Sequence, residues 1–467
     1  MLNWLPSRAS RHVRSQRPAL RPLLTAAACA ALLQGVTPVH AEGLVELYQA
    51  AKAYDATYLA AKSQAESVGY KADQARSTWL PQVGAQATLT RSELDSSVDQ
   101  VPTVSGTTRK IGIQARQALL NKSNWDTISQ ADQAVVVAEA DLQMAEDDLV
   151  VRLTQAYFGV LSAQDMLTTA QANKKALAEQ LAAAKRSFEV GNATITDTRE
   201  AQARFDLATA QEIAATNDLN VKRIALDQLV GRNGVKPDAL QTPVNLSQLD
   251  PGQVDDWVTQ SSNAAIVRKA TAGREAARLE TSKARDGHLP TLDLTASVGN
   301  THISGYKIAG NNTQAQATMG AGTAKAIGLE LNVPLFAGFA VQNRVKETLV
   351  LENKAESDLD NAKRGVALGT RQAFAGVQSG LAQVKAYEAA EASAKLALEA
   401  TQLGYRVGVR INKDVLDAQT QLAATQRDLY KARYDVILAT VKLRQASGTL
   451  KADDLGNLNK LLSAPAN

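Results

Sequence analysis

The chain has 467 residues and 51 Lys and Arg against 47 Asp and Glu, but five of the bases (Arg8, Arg11, Arg14, Arg17, Arg21) lie in residues 1–41, which hold no acid. The other 46 bases face 47 acids, so neither a basic excess nor a basic stripe points to nucleic acid as a partner. One cysteine and four histidines, of which only His288 and His302 lie beyond position 41, leave little material for zinc or Cys/His chemistry. No cofactor is expected, whereas a paired-carboxylate hydrolase stays open.

Residues 1–41 read as a secretory signal: a basic start, an apolar core from Leu23 to Leu33, and a small-residue cleavage site at Val39-His40-Ala41. Lipidation at Cys29 is the alternative, and would shorten the apolar core below its usual span. Beyond Ala41 no apolar run approaches the ~18 residues of a membrane helix. A membrane crossing would have to be made by strands.

The rest reads as two copies of one pattern, 42–250 and 251–450, followed by a short polar tail, 451–467, expected to be partly loose after Ser447. Each copy opens with a helical stretch, 44–79 and 254–288, that stops at Leu80-Pro81 or Leu289-Pro290. Alternation takes over in expected hairpins at 81–119 and 289–336. Val83, Ala85, Ala87 and Leu89 alternate with polar or small residues, then Ile111, Ile113 and Ala115. In the second copy, Leu292, Leu294, Ala296 and Val298 precede Ile327, Leu329, Leu331 and Val333. Segments near ten residues with period two suit tilted membrane strands, and equally a soluble hairpin packed on helices. Polar loops are expected at about 91–107 and 299–323.

Long helical hairpins follow at 122–231 and 338–447. No proline occurs from Thr103 to Lys236 or from Leu335 to Ala464. Leu142, Leu149, Leu153, Val160 and Leu167 form a coiled-coil stripe, and adding 217 gives Leu359, Val366, Thr370, Val377 and Val384. The turns of these hairpins match: Val190-Gly191 leads to Asp197 and Glu200, and Val407-Gly408 leads to Asp414 and Asp417. Gly is a helix stop, and an Asp opening the next helix caps it or lies on an acidic face.

Four strands cannot close a barrel in lipid, where open edges are not tolerated. Strands that span a membrane would therefore be shared among several chains, with the long helices continuing the barrel as a tube and the two turns at its far end.

At this point the sequence resembles the TolC family of outer membrane channels of Gram-negative export systems, over roughly residues 44–450. The residues that carry the resemblance are Asp286-Gly-His-Leu-Pro-Thr-Leu-Asp-Leu-Thr-Ala-Ser297, the second turn (Gly404-Tyr405, Val407-Gly408, Arg410, Asp414-Val-Leu-Asp417) and Ile195-Thr196-Asp197 in the first. The resemblance implies a mainly α homotrimer whose three sets of four strands close one transmembrane β-barrel, continued by an α-helical coiled-coil tunnel. It implies a passive exit duct in the outer membrane lipid, working with a periplasmic adaptor and an inner-membrane ABC or proton-driven transporter in type I secretion or multidrug efflux. It implies a constriction ring of Asp414 and Asp417, a gate network of Thr196, Asp197, Tyr405 and Arg410, and adaptor docking at Gly191 and Gly408. Crowded ring carboxylates would titrate above the ordinary Asp value. Lys413 departs from the pattern by adding positive charge beside the ring. A periplasmic adaptor, which also uses coiled-coil hairpins, and an exported enzyme remain as alternatives from other classes.

Overall fold

The computed structural model describes residues 43–94, 103–241, 249–309, 315–316, 321–460 and 462. The signal-peptide reading of 1–41 and the alternative at Cys29 lie outside the described residues.

The first helical stretch is broken. α1 (Leu44–Tyr54) gives way at Asp55, whose carboxylate accepts from the Tyr58 N–H at 2.8 Å and caps α2 (Ala56–Arg76). β1 (Gln82–Leu94) and β2 (Thr103–Leu120) form a hairpin that leads into α3 (Lys122–Glu189), 68 residues and about 100 Å long. α4 (Ile195–Val230) returns. α5 (Val254–Gln260) and α6 (Ala265–Asp286) precede β3 (Thr291–Ala309) and β4 (Gly322–Asn332), then α7 (Ala340–Arg406) and α8 (Asn412–Ala446). The tail expected to be loose holds α9 (Ala452–Asn459): Leu455 and Leu462 are buried, Leu462 bridges to Leu240, and Asn459 accepts from the Leu44 N–H.

The four long strands pair antiparallel in chain order, with the two-residue stretch Ala315–Gln316 also pairing with β3. They run into the stretches expected to be polar loops, because ladder bonds come from backbone groups and Ser and Thr do not oppose them. Register sorts the side chains. Val83, Ala115, Ala296 and Ile327 form one cross-strand row, and Ala85, Ile113, Val298 and Lys325 the next. The opposite face carries Gln82, Arg116 and Thr295, then Gly84, Gln114, Ser297 and Ala326. The apolar face is bare: Val83 is 69% exposed, Ile327 79% and Leu329 66%. None of the described helices is long and apolar enough to cross a membrane.

The helical stripes close inward. Leu149, Leu153, Val160 and Leu167 of α3 are buried, as are Leu359, Thr370, Val377 and Val384 of α7. Thr370 satisfies its hydroxyl on the Ala446 carbonyl. The largest core lies mid-length, where α1, α3, α4, α8 and the tail meet around Tyr48, Tyr157 and Phe158.

Here the two copies diverge. Arg152 of the first is held by Asp55 (2.9 Å) and Asp148 (2.6 Å). The corresponding positions of the second are Ala264, Gly365 and Gly369, and they line a cavity of about 620 Å³. Asp147 lies at its edge, 8% exposed, its carboxylate accepting from Gln143. Burial pushes its carboxyl up to about 6. The unfolded chain releases this proton near pH 3.9, so stability falls as pH rises from about 4 to 6 and stays lower above. Asp147→Asn should therefore stabilise the protein at pH 7.5, by up to about 2–3 kcal/mol, and change little at pH 4. Thermal unfolding of both proteins in detergent at the two pH values checks this, and an equal shift at both would reject it.

Candidate functional site

Each long helical hairpin ends in the same stop. At the end of α3 the Gly191 N–H donates to the Phe188 carbonyl (3.0 Å) and the Asn192 N–H to Ser187 (2.7 Å). At the end of α7, Gly408 donates to Tyr405 (3.1 Å) and Val409 to Gly404 (2.9 Å). Both are Schellman motifs, with Gly191 at φ 76° and Gly408 at φ 82°, a conformation strained for any side chain. This accounts for the glycine in both copies. No atom lies within 4 Å of where a Cβ would stand on either glycine. Val190, Val407, Val409 and Ile411 beside them are 60% to 76% exposed, so the tips present an open apolar surface.

The returning helices start differently. Thr194 caps α4: its hydroxyl accepts from the Asp197 N–H at 3.2 Å, and the Asp197 carboxylate accepts from the Thr194 N–H at 2.9 Å and from its hydroxyl at 2.7 Å. Asp197 is thus tied down by local capping. The counterpart of Thr194 ahead of α8 is Ile411, which has no hydroxyl to offer. The Asp414 N–H turns to the Ile411 carbonyl, and its carboxylate is left out of any cap, 3.6 Å from the Arg410 guanidinium. Thr196 and Arg410 are exposed and Tyr405 is half-buried. Among the described residues of one protomer, no hydrogen bond or ion pair joins Thr196 or Asp197 to Tyr405 or Arg410.

Asp417 is held on both sides. Arg204, from α4, donates to its Oδ1 at 2.6 Å, and Lys413, one turn earlier on α8, donates to its Oδ2 at 2.6 Å. The Lys413 hydrogen bond, followed by the charges of Lys413 and Arg204, holds the carboxyl below the usual Asp range. Within a protomer this is the reverse of the upward shift expected from crowded carboxylates, because two cations reach the group first. Sequence reading noted Lys413 and missed Arg204. The one available signal was local, since Arg204 follows Glu200 by four positions and shares its face of α4. Beneath the charges, Leu177, Leu181 and Ala184 of α3, Ala201 and Ala208 of α4 and Leu416 of α8 pack together, with Phe205 against them.

Among the described residues no group of acids, histidines and cysteines is arranged to hold a metal. The site offers fixed charges at the end of two long hairpins, where they can attract, repel or tie.

The outer membrane efflux protein family model matches residues 47–232 and 260–449. The chain is 34% identical over 453 residues to outer membrane protein TolC of Vibrio cholerae, covering 94% of this chain and 98% of that protein. It is 31% identical over 428 residues to TolC of Escherichia coli (91% and 86%), and 29% identical to the proteases secretion protein PrtF of Dickeya chrysanthemi (90% of each). Among solved structures, the outer membrane protein VceC of Vibrio cholerae aligns with TM-score 0.73 at 18% identity, covering 87% of this chain and 96% of that one. The open state of the MtrE outer membrane channel of Neisseria gonorrhoeae aligns with TM-score 0.70 at 19% identity (90% and 94%).

Proposed function

Because this chain belongs to the outer membrane efflux protein family, we propose that it is the outer membrane exit duct of an export system, a passive channel shared by three copies. The observation that carries this reading is the sheet. Among the described residues its outer strands β1 and β4 have no further partner within the protomer, and one face carries apolar rows with Val83, Ile327 and Leu329 exposed, its charged residues Lys325 and Arg109 lying toward the end away from the helices. In lipid an open edge leaves backbone groups unsatisfied, at several kcal/mol each. Three protomers joined edge to edge give a closed twelve-stranded barrel, apolar outward and polar inward. The same association covers apolar side chains that one protomer leaves bare, among them Ile213 and Ile224 on α4 and Val350 and Leu396 on α7.

The long hairpins then extend about 100 Å into the periplasm. Asp414 and Asp417 line the constriction at their end. Thr196, Asp197, Tyr405 and Arg410 form the gate between neighbouring hairpins, and Gly191 and Gly408, with the exposed valines, meet a periplasmic adaptor linked to an inner-membrane ABC or proton-driven pump. The repeats are 42–250 and 251–450, with a signal peptide removed after about Ala41. Relatives are named for protease secretion and for efflux, and either cargo fits a duct that leaves selection to its pump. An adaptor role is disfavoured by the family match over both repeats. Light scattering in detergent should give a homotrimer, and a stable monomer with native strand content would reject the reading.

A further inference from the structure

The charges around the constriction are balanced. The first three turns of α4 carry Asp197, Glu200, Arg199 and Arg204, and the stretch from Arg410 to Asp417 carries Asp414, Asp417, Arg410 and Lys413. These two stretches hold four carboxylates and four cations, of which Asp414 and Asp417 are paired with Arg410, Arg204 and Lys413. The pairing is specific: Arg204 and Lys413 each take one oxygen of Asp417, at 2.6 Å. Arg204 belongs to the first hairpin and Asp417 to the second, so their bond crosses between the two hairpins of one protomer. Lys413 and Asp417 sit one turn apart on the same helix, so their bond moves charge without tying anything together. Leu416, fully buried against Ala201 and Leu181, fixes the helix faces that bring Arg204 and Asp417 together.

We infer that Arg204 and Lys413 set the gating and ion preference of this channel: Arg204 latches the second hairpin to the first through Asp417, and together the two cations neutralise the constriction. The inference rests on the placement of Asp414 and Asp417 at the narrowest point. It makes wild type a weakly selective duct, and it assigns the two cations separable effects. Arg204→Gln removes both the tie and a charge, so it should raise single-channel conductance and shift preference toward cations. Lys413→Val removes charge alone, so it should shift preference and leave conductance near wild type. With both replaced, six positive charges leave one narrow passage of the trimer, and the cation-to-anion permeability ratio should rise on the order of tenfold.

The full chain, reconstituted in planar bilayers under one salt gradient, supplies the test through reversal potential, unitary conductance and block by a trivalent cobalt hexammine probe. A rise in conductance confined to the variants lacking Arg204, with a cation shift in all, supports the inference. The charge-reversed pair Arg204→Asp with Asp417→Arg restores the tie and should return conductance toward wild type. The same conductance and reversal potential in wild type and the double variant would overturn it. Asp414→Asn is measured alongside. If it too changes nothing, the constriction itself lies elsewhere. If it alone shifts the reversal potential, the constriction stands and the latch is wrong.

Discussion

Replacing Ile327 with Arg should abolish assembly of the trimer in the outer membrane, while Arg at the next position back, Ala326, should be tolerated. Ile327 lies mid-way along the β3–β4 ladder, 79% exposed, in a row with Val83, Ala115 and Ala296. Ala326 points to the other face, in a row with Gly84, Gln114 and Ser297. Arg on the lipid face costs about 2–4 kcal/mol at the membrane midplane, and the barrel carries three copies. On the lumen side the guanidinium stays in water. The two substitutions are adjacent on one strand and introduce the same side chain, and the tolerated one adds more volume, so a general effect of Arg on strand folding would strike both. Heat-modifiable trimer in outer membrane fractions, followed by gel mobility, separates the cases. Equal loss at both positions, or equal tolerance, would show that this face does not meet lipid.

How far the chain could be read in advance follows from which forces leave a local trace. The apolar rows of the sheet were legible because burial of one face writes a period of two into sequence. The outer strand ends were not, because beyond Leu89 and Val298 polar residues such as Arg91, Glu93, Asn300 and His302 replace the apolar row and the alternation is lost while the backbone ladder continues. The turn stops were legible, since only Gly takes a φ near 80° without strain. The break at Asp55 was missed because a cap inside a helix-forming run looks like any surface acid until Tyr58 bonds to it. Two failures were of another kind. Leu455 and Leu462 lie in a polar tail and become core through contacts more than 200 residues away, around Leu240. Arg204 and Asp417 are 213 positions apart, and no local rule links them. The difference between Thr194 and Ile411 was present in the letters, yet its meaning depends on the capping geometry that leaves Asp197 engaged and Asp414 open.

That difference leads to the second large effect. Asp414→Asn should shift the ion preference of the channel toward anions with little change in conductance. Asp414 makes no capping bond, and the Arg410 guanidinium is 3.6 Å away, beyond hydrogen-bond range. Its side chain is 35% exposed, so an exposed ion pair of this kind contributes only ~0–1 kcal/mol to holding the tip together. Losing it should not loosen the gate. The electrostatic result is larger if Asp414 stands in the proposed constriction ring: removing three carboxylates there leaves the cations in excess, and the preference moves to anions. Asp417→Asn behaves differently. It strands Arg204 and Lys413, shifting preference in the same direction, and it also breaks the bond between hairpins, so conductance should rise as well. Asn keeps the size in both cases, but it offers one acceptor oxygen where Asp417 uses two. Reversal potentials under a fixed potassium chloride gradient and unitary conductances, recorded for both variants, distinguish the two roles. Identical behaviour of Asp414→Asn and Asp417→Asn would mean that the Arg204 bond does not restrain the tip, and that the two carboxylates act as one ring of equivalent charges.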